Sequence, residues 1–211
     1  MKKKVTIIDY GLGNIVSAQQ SFLKVVNENK YDAEIIVSNE SEDILNATHI
    51  VLPGQGAFQS CMSGLKKING AVQALEESVL KNKKPFLGIC IGMQLLAEEG
   101  YENGNHKGLG WIKGVIKKID RENLKLPHMG WNEVKIVNNS FKMNFNTKNK
   151  DFYFVHSYYF DCVDYKNIIG STQYGKNFAS IVGRENIYGV QFHPEKSSQQ
   201  GLELINSFLS L

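Results

Sequence analysis

Cysteine and proline are scarce in this chain of 211 residues, which holds three of the first and four of the second. Cys61, Cys90 and Cys162 are widely separated and odd in number, which argues against a disulfide framework and for a reducing cytoplasm. No Cys/His pair has the close spacing of a structural zinc site, and neither a metal nor another cofactor is expected. Charge of one sign is also lacking. Lys and Arg number 24 against 21 Asp and Glu, a formal charge of +3, which is too small and too dispersed for a nucleic-acid surface. The densest basic run, Lys2-Lys3-Lys4, reads as a solvated tail. Only Val5-Thr6-Ile7-Ile8 separate it from Asp9, too little for a signal-peptide core. No apolar run approaches the roughly 20 residues of a membrane helix. The expectation is a soluble, cytoplasmic protein that binds neither nucleic acid nor membrane.

What is present suffices for a folded core. Hydrophobic residues make up 42% and charged residues 21%, with 11 Phe, 9 Tyr and 2 Trp, a composition that excludes a disordered chain. The length fits one domain over residues 1–211. A chain of this size buries about 70% of its unfolded surface and needs no disulfide or metal staple.

Up to Ala97, short β-rich runs alternate with helical patterns. Val5–Ile8, Ile35–Val37, Ile50–Leu52 and Phe86–Ile89 read as buried strands. Ile15, Ala18, Phe22 and Val25 recur at helical spacing, Ser41–Leu45 reads as a short capped helix, and Ala57–Leu65 and Ala71–Leu80 are helical. This alternation predicts crossover units: a three-layer α/β fold whose mixed, mostly parallel central sheet is covered by helices on both faces. Beyond Ala97 the pattern changes. Gly100–Gly110 reads as a loop, and Trp111–Ile119, Trp131–Val137, Phe152–Phe160 and Ile168–Tyr174 as β-rich runs. Val182, Ile187, Val190 and Phe192 suggest a hairpin, and Leu202, Ile205 and Phe208 a final helix. Polar, Asn-rich Asn138–Lys150 is expected as an exposed loop.

Gly88-Ile89-Cys90-Ile91-Gly92 ends one predicted strand and opens a predicted helix over Met93–Ala97. A nucleophile elbow needs this context, and a helix N-terminus favours a thiolate. A small buried cysteine between glycines explains the segment equally well, because free Cys is among the most buried residue types. Five histidines compete for the role of base: His49, His106, His128, His156 and His193. His49 borders a core strand and His106 sits in a Gly-rich loop. His193 precedes Pro194, which favours an extended backbone, so His193 and Glu195 point to one side. A carboxylate there fixes the imidazole tautomer and leaves the other nitrogen for a thiol. Alone, His-Pro-Glu is an ordinary surface turn; with the cysteine elbow it is a much sharper conjunction. Oxyanion donors are expected from Gly54-Gln55-Gly56, after the third strand, and from the N–H of Ile91. Gly11-Leu12-Gly13 carries two glycines of a dinucleotide fingerprint, but Val16 takes the third position and no acidic residue ends the second strand.

These motifs resemble the class I, triad-type glutamine amidotransferases, and within them the branch of glutaminase subunits of imidazole glycerol phosphate synthase. The similarity runs over nearly the whole chain. It is carried by Ile8-Asp9-Tyr10-Gly11-Leu12-Gly13-Asn14, Leu52-Pro53-Gly54, Gly56-Ala57-Phe58, Leu87 to Leu96, Pro127 to Asn132, Phe154 to Tyr158 and Gly189 to Ser197. The resemblance implies hydrolysis of L-glutamine by a Cys90, His193, Glu195 triad. It implies that Gln94, His156, Ser157 and Tyr158 help hold glutamine, and that Gly54, Gln55, Gly56 and Ile91 form the oxyanion hole. Tyr10, Asn14, Trp131 and Lys196 fall in segments that face a (β/α)8 synthase subunit, which in the branch forms a heterodimer with the glutaminase and takes its ammonia for histidine biosynthesis. Gln55 replaces the small aliphatic residue usual in the branch, and 138–150 lacks its usual Pro-containing pattern. Two alternatives stay open: a paralogous subunit supplying ammonia for amidination of a bacterial surface sugar, and a free-standing γ-glutamyl cysteine hydrolase.

Overall fold

A computed structural model describes residues 2–120, 124–144 and 150–211. The elements run β1 (Lys3–Ile8), α1 (Ile15–Asn29), β2 (Ala33–Ser38), α2 (Ser41–Asn46), β3 (His49–Gly54), α3 (Phe58–Lys67) and α4 (Ala71–Leu75), which continues into a π-helical turn, Glu76–Lys81. β4 (Phe86–Cys90), α5 (Ile91–Gln94), β5 (Glu99–Gly100), β6 (His106–Lys107) and β7 (Gly114–Lys118) follow. The chain closes with β8 (His128–Glu133), β9 (Lys135–Ile136), β10 (Asp151–His156), β11 (Tyr158–Cys162), β12 (Ile168–Tyr174), β13 (Lys176–Arg184), β14 (Ile187–Val190), a 3-10 turn (Pro194–Lys196) and α6 (Ser198–Leu209).

Twelve strands form one mixed sheet, and β8 and β10 form a separate ribbon. The order β2-β1-β3-β4-β14 is parallel throughout, and antiparallel pairing begins between β14 and β13. β3, β4 and β14 are buried at every residue, the signature of strands covered on both faces. α1 and α6 pack together on one side, where Phe22 meets Phe208 edge to face at 6.3 Å. α2, α3 and α4 form the other group. Among the described residues no helix is long and apolar enough to cross a membrane.

Several expectations shift. The β-rich run Phe152–Phe160 is two strands broken at Ser157, one in the ribbon and the other in the large sheet, and alternation alone does not reveal a change of partner. Gly100–Gly110 is entered by a short antiparallel pair that begins one residue before it, Glu99↔Lys107 and Gly100↔His106. The elbow helix starts at Ile91, not Met93, and lasts one turn. Residues 145–149 of the expected 138–150 loop lie outside the described residues; of the rest, Met143 is buried and Phe141 packs edge to face on Tyr188. Those two apolar side chains anchor a segment whose composition reads as solvent-exposed.

Candidate active site

The site forms where the parallel strands end. Register pairs Gly54 at the tip of β3 with Cys90 at the tip of β4. Cys90 adopts φ 55° and ψ −108°, a strained conformation for a side chain of L configuration. Two glycines make that turn achievable. A Cβ on Gly92 would lie 1.8 Å from the Leu52 carbonyl oxygen, and one on Gly88 2.4 Å from that of Gly92. The elbow thus packs against β3 without room for a methyl group.

His193 and Glu195 sit across from this elbow, in the turn that follows β14. Nδ1 of His193 donates to Glu195 Oε1 at 2.8 Å, and both side chains are about 3% exposed. The turn is fixed at three points: His193 N–H donates to the Tyr153 carbonyl at 2.9 Å, Ser197 Oγ donates to the His193 carbonyl at 2.6 Å, and the Tyr153 N–H donates to Ser197 Oγ at 3.0 Å. Nε2 of His193 is buried with no hydrogen-bond partner among the described residues, and Cys90 lines the same cavity. Burial alone would push the imidazole pKa down; the charge and hydrogen-bonding capacity of Cys90, together with Glu195, outweigh it and raise the pKa. The protonated imidazolium is the form of His193 that this arrangement favours.

Cys90 and His193 line one cavity of about 320 Å³ with Gln55, Gly56, Ile91, Gln94 and the 155–158 segment. This volume suits a small metabolite. Gln94 is buried; its Nε2 donates to the Tyr158 carbonyl at 3.2 Å and to Gln191 Oε1 at 3.0 Å. His156 has both ring nitrogens engaged within the protein, with the Tyr158 carbonyl and with His128. It therefore gives the cavity shape and no free polar atom. Burial pushes its pKa down to about 3, against the hydrogen bond to Tyr158.

Of the residues expected to face a partner, Trp131 is 51% exposed and Lys196 is exposed, with Asn14 half-buried at the start of α1. Tyr10 corrects the expectation. It is only 6% exposed, and its hydroxyl lies under the 53–56 loop instead of on a surface.

One residue beside Cys90 and one that lines the cavity escaped the sequence. Gln191 is fully buried and its Nε2 lies 3.8 Å from Cys90 Sγ. The period-2 argument that pairs His193 with Glu195 also reaches Gln191, and would have found it. Glu102 lines the cavity while its Oε2 accepts from the Phe58 N–H at 2.8 Å; nothing in its Gly-rich surroundings marks it out.

The sequence matches the glutamine amidotransferase class-I family over residues 7–210. It is 48% identical over 210 residues to the imidazole glycerol phosphate synthase subunit HisH of Pelagibacter ubique, covering 98% of this chain and 99% of that one. The subunit of the same name from Rhodospirillum rubrum is 46% identical over 209 residues, covering 98% of each. Among solved structures, a glutamine amidotransferase from Thermotoga maritima matches with a TM-score of 0.69 at 16% identity, covering 100% of this chain and 97% of that one. At that identity the likeness concerns the fold.

Proposed function

The chain belongs to the class I glutamine amidotransferases, and from that premise we propose that it is the glutaminase subunit of an imidazole glycerol phosphate synthase in histidine biosynthesis. It hydrolyses L-glutamine to glutamate and ammonia, and hands the ammonia to a (β/α)8 synthase subunit with which it forms a heterodimer. The observation that carries the chemistry is the buried His193–Glu195 pair facing a cysteine elbow in a cavity of metabolite size.

In this reading the Cys90 thiolate attacks the side-chain amide carbon of glutamine. Negative charge develops on the amide oxygen, and backbone N–H groups of Gln55 and Ile91 receive it. His193, as imidazolium, gives its proton to the amide nitrogen; the C–N bond breaks and ammonia leaves, with a thioester on Cys90. The now neutral His193 takes a proton from water, whose oxygen attacks the thioester. Glutamate departs, and thiolate and imidazolium are restored. Glu195 keeps Nδ1 protonated throughout. Glu102 suits the substrate's ammonium group, and Gln94 with the Ser157–Tyr158 edge bounds its far end.

Ammonia must leave neutral and unhydrated, so the cavity mouth needs a cover. Met129 and Trp131, 62% and 51% exposed, share one face of β8, with Met129 opposite the cavity-lining Val155, a surface suited to a protein partner. The relatives' names favour the histidine pathway over surface-sugar amidination. The three unpaired thiols fit a cytoplasmic location.

The test is glutamate release by the purified chain, with and without a synthase subunit and its ribonucleotide ligand. Release that rises on adding the liganded partner supports the proposal. Equal release without a partner would indicate a free-standing hydrolase, and none in either state would overturn the glutaminase reading.

A further inference from the structure

Antiparallel register in the ribbon places His128 of β8 directly opposite His156 of β10. Their rings meet, with His128 Nδ1 and His156 Nε2 2.9 Å apart. At the inner end, His156 Nδ1 is 2.8 Å from the Tyr158 carbonyl oxygen, which also accepts from Gln94 Nε2. At the outer end, His128 Nε2 is 3.1 Å from Asn132 Nδ2, whose amide also donates to the Gln173 carbonyl at 3.0 Å. The His128 ring is held flat between Phe154 and Tyr174, at 4.9 and 4.0 Å between centroids.

The proton positions along this chain follow from its ends. A carbonyl only accepts, so His156 carries its hydrogen on Nδ1. Its Nε2 then has a lone pair, and His128 must donate from Nδ1. His128 Nε2 is left to accept, which the Asn132 amide satisfies. Every link runs one way, from Asn132 inward to Tyr158. Burial lowers the pKa of both rings, His128 to about 4, and so keeps them neutral. Asn132 adjoins exposed Trp131 on β8, whereas Tyr158 bounds the catalytic cavity.

We propose that Asn132, His128 and His156 form a one-way hydrogen-bond relay that fixes the Ser157–Tyr158 edge for recognition of glutamine, with His128 as a positioning residue. The proposal rests on the glutaminase reading and deepens it. If His156 turned to the Nε2–H form, two lone pairs would face each other at the Tyr158 carbonyl. The edge would move, and with it Gln94, which shares that carbonyl. The relay also joins the cavity wall to the strand that bears Trp131, so displacement of that strand is felt where glutamine lies.

Long-range proton–nitrogen correlation on the full chain, labelled with 15N-histidine at neutral pH, reads the tautomers directly. Both His128 and His156 are expected as Nδ1–H; an Nε2–H form or an imidazolium at either ring overturns the relay. Function is read as the rate of Cys90 labelling by 6-diazo-5-oxo-L-norleucine divided by its alkylation rate with iodoacetamide, which separates recognition from thiol reactivity. His128→Phe keeps the ring stack and removes the donor, and should lower this ratio about tenfold, the scale of one lost buried hydrogen bond. His128→Asn places an amide N–H near the position of Nδ1 and should restore most of it. A ratio unchanged in a folded His128→Phe chain, or lowered equally in both variants, overturns the positioning role. If His128→Phe does not fold, the parent tautomers and His128→Asn decide. A parent chain with both rings as Nδ1–H that is never labelled by the glutamine analogue refutes the glutaminase reading and not the relay geometry.

Discussion

Tyr10 Oη donates a hydrogen bond of 2.7 Å to the carbonyl oxygen of Pro53, directly beneath the loop that faces Cys90. A Cβ on Gly54 would lie 2.6 Å from that same hydroxyl, so the loop rests on the phenol. Cys61 Sγ, 3.5 Å from the Gln55 carbonyl, holds the other side of Gly54. Burial, and Cys61 beside it, push the Tyr10 phenol well above the ordinary tyrosine range. It stays a neutral donor at any working pH.

Tyr10→Phe therefore should act on turnover and not on docking. The lost buried bond frees the Pro53 carbonyl, and kcat with saturating partner should fall about 3- to 10-fold. Titration of the partner by calorimetry should give an unchanged Kd. A weakened Kd with unchanged kcat would make Tyr10 an interface residue instead.

Cys90→Ala should abolish glutamine hydrolysis, while Cys162→Ala should keep nearly all of it. Cys61→Ala should keep most, since it removes only a weak sulfur bond to the Gln55 carbonyl. Peptide mapping after treatment with an electrophilic glutamine analogue checks the assignment. Label on Cys61 or Cys162 in place of Cys90 would sink it.

Glu195→Gln should leave the fold intact and lower kcat by roughly 100-fold or more, because Nδ1–H loses its carboxylate and the imidazolium its support. The measurement is kcat against pH alongside a melting curve. His193→Ala should cost more. Parent-like turnover would reduce Glu195 to a turn residue.

Stability should fall as the pH drops below about 6.5. His49 is held neutral by burial and by Lys3, with its pKa at about 4; His128 and His156 lie at about 4 and 3. For each, the folded pKa is below the unfolded one. The unfolded chain thus binds protons first, and the stabilisation complete above pH 6.5 is lost as pH falls toward 4. Each group contributes at most about 1.4 kcal/mol per pH unit in that window. His193 has the opposite sign: its pKa is raised, so its contribution is full below pH 6.5 and fades above it. Urea midpoints at pH 6.5 and 5.0 separate the two. A midpoint no lower at pH 5.0 would mean that these rings are protonated in the folded chain.

Local sequence carries the parts of this site that depend on local backbone. Apolar runs and their spacing determine β1, β3, β4 and α1, because burial on both faces demands continuous apolar strands. The glycines at 88 and 92 announce the elbow, since a larger residue at 92 would strike the β3 backbone and one at 88 the backbone of Gly92 and Met93. The extended His-Pro-Glu run places Glu195 beside His193. Tertiary structure decided the rest. Whether Cys90 meets His193, 103 positions away, depends on β14 pairing in parallel beside β4. Tyr10 lies in a motif that resembles an interface segment, and only packing turns it under the loop that faces Cys90. Phe152–Phe160 alternates as one strand, yet its halves serve different sheets, because strand partners are chosen by long-range contacts that a period of two does not encode. The His128–His156 contact has the same origin: two histidines 28 residues apart become a directional pair once antiparallel register sets them opposite each other and the Tyr158 carbonyl fixes the first proton.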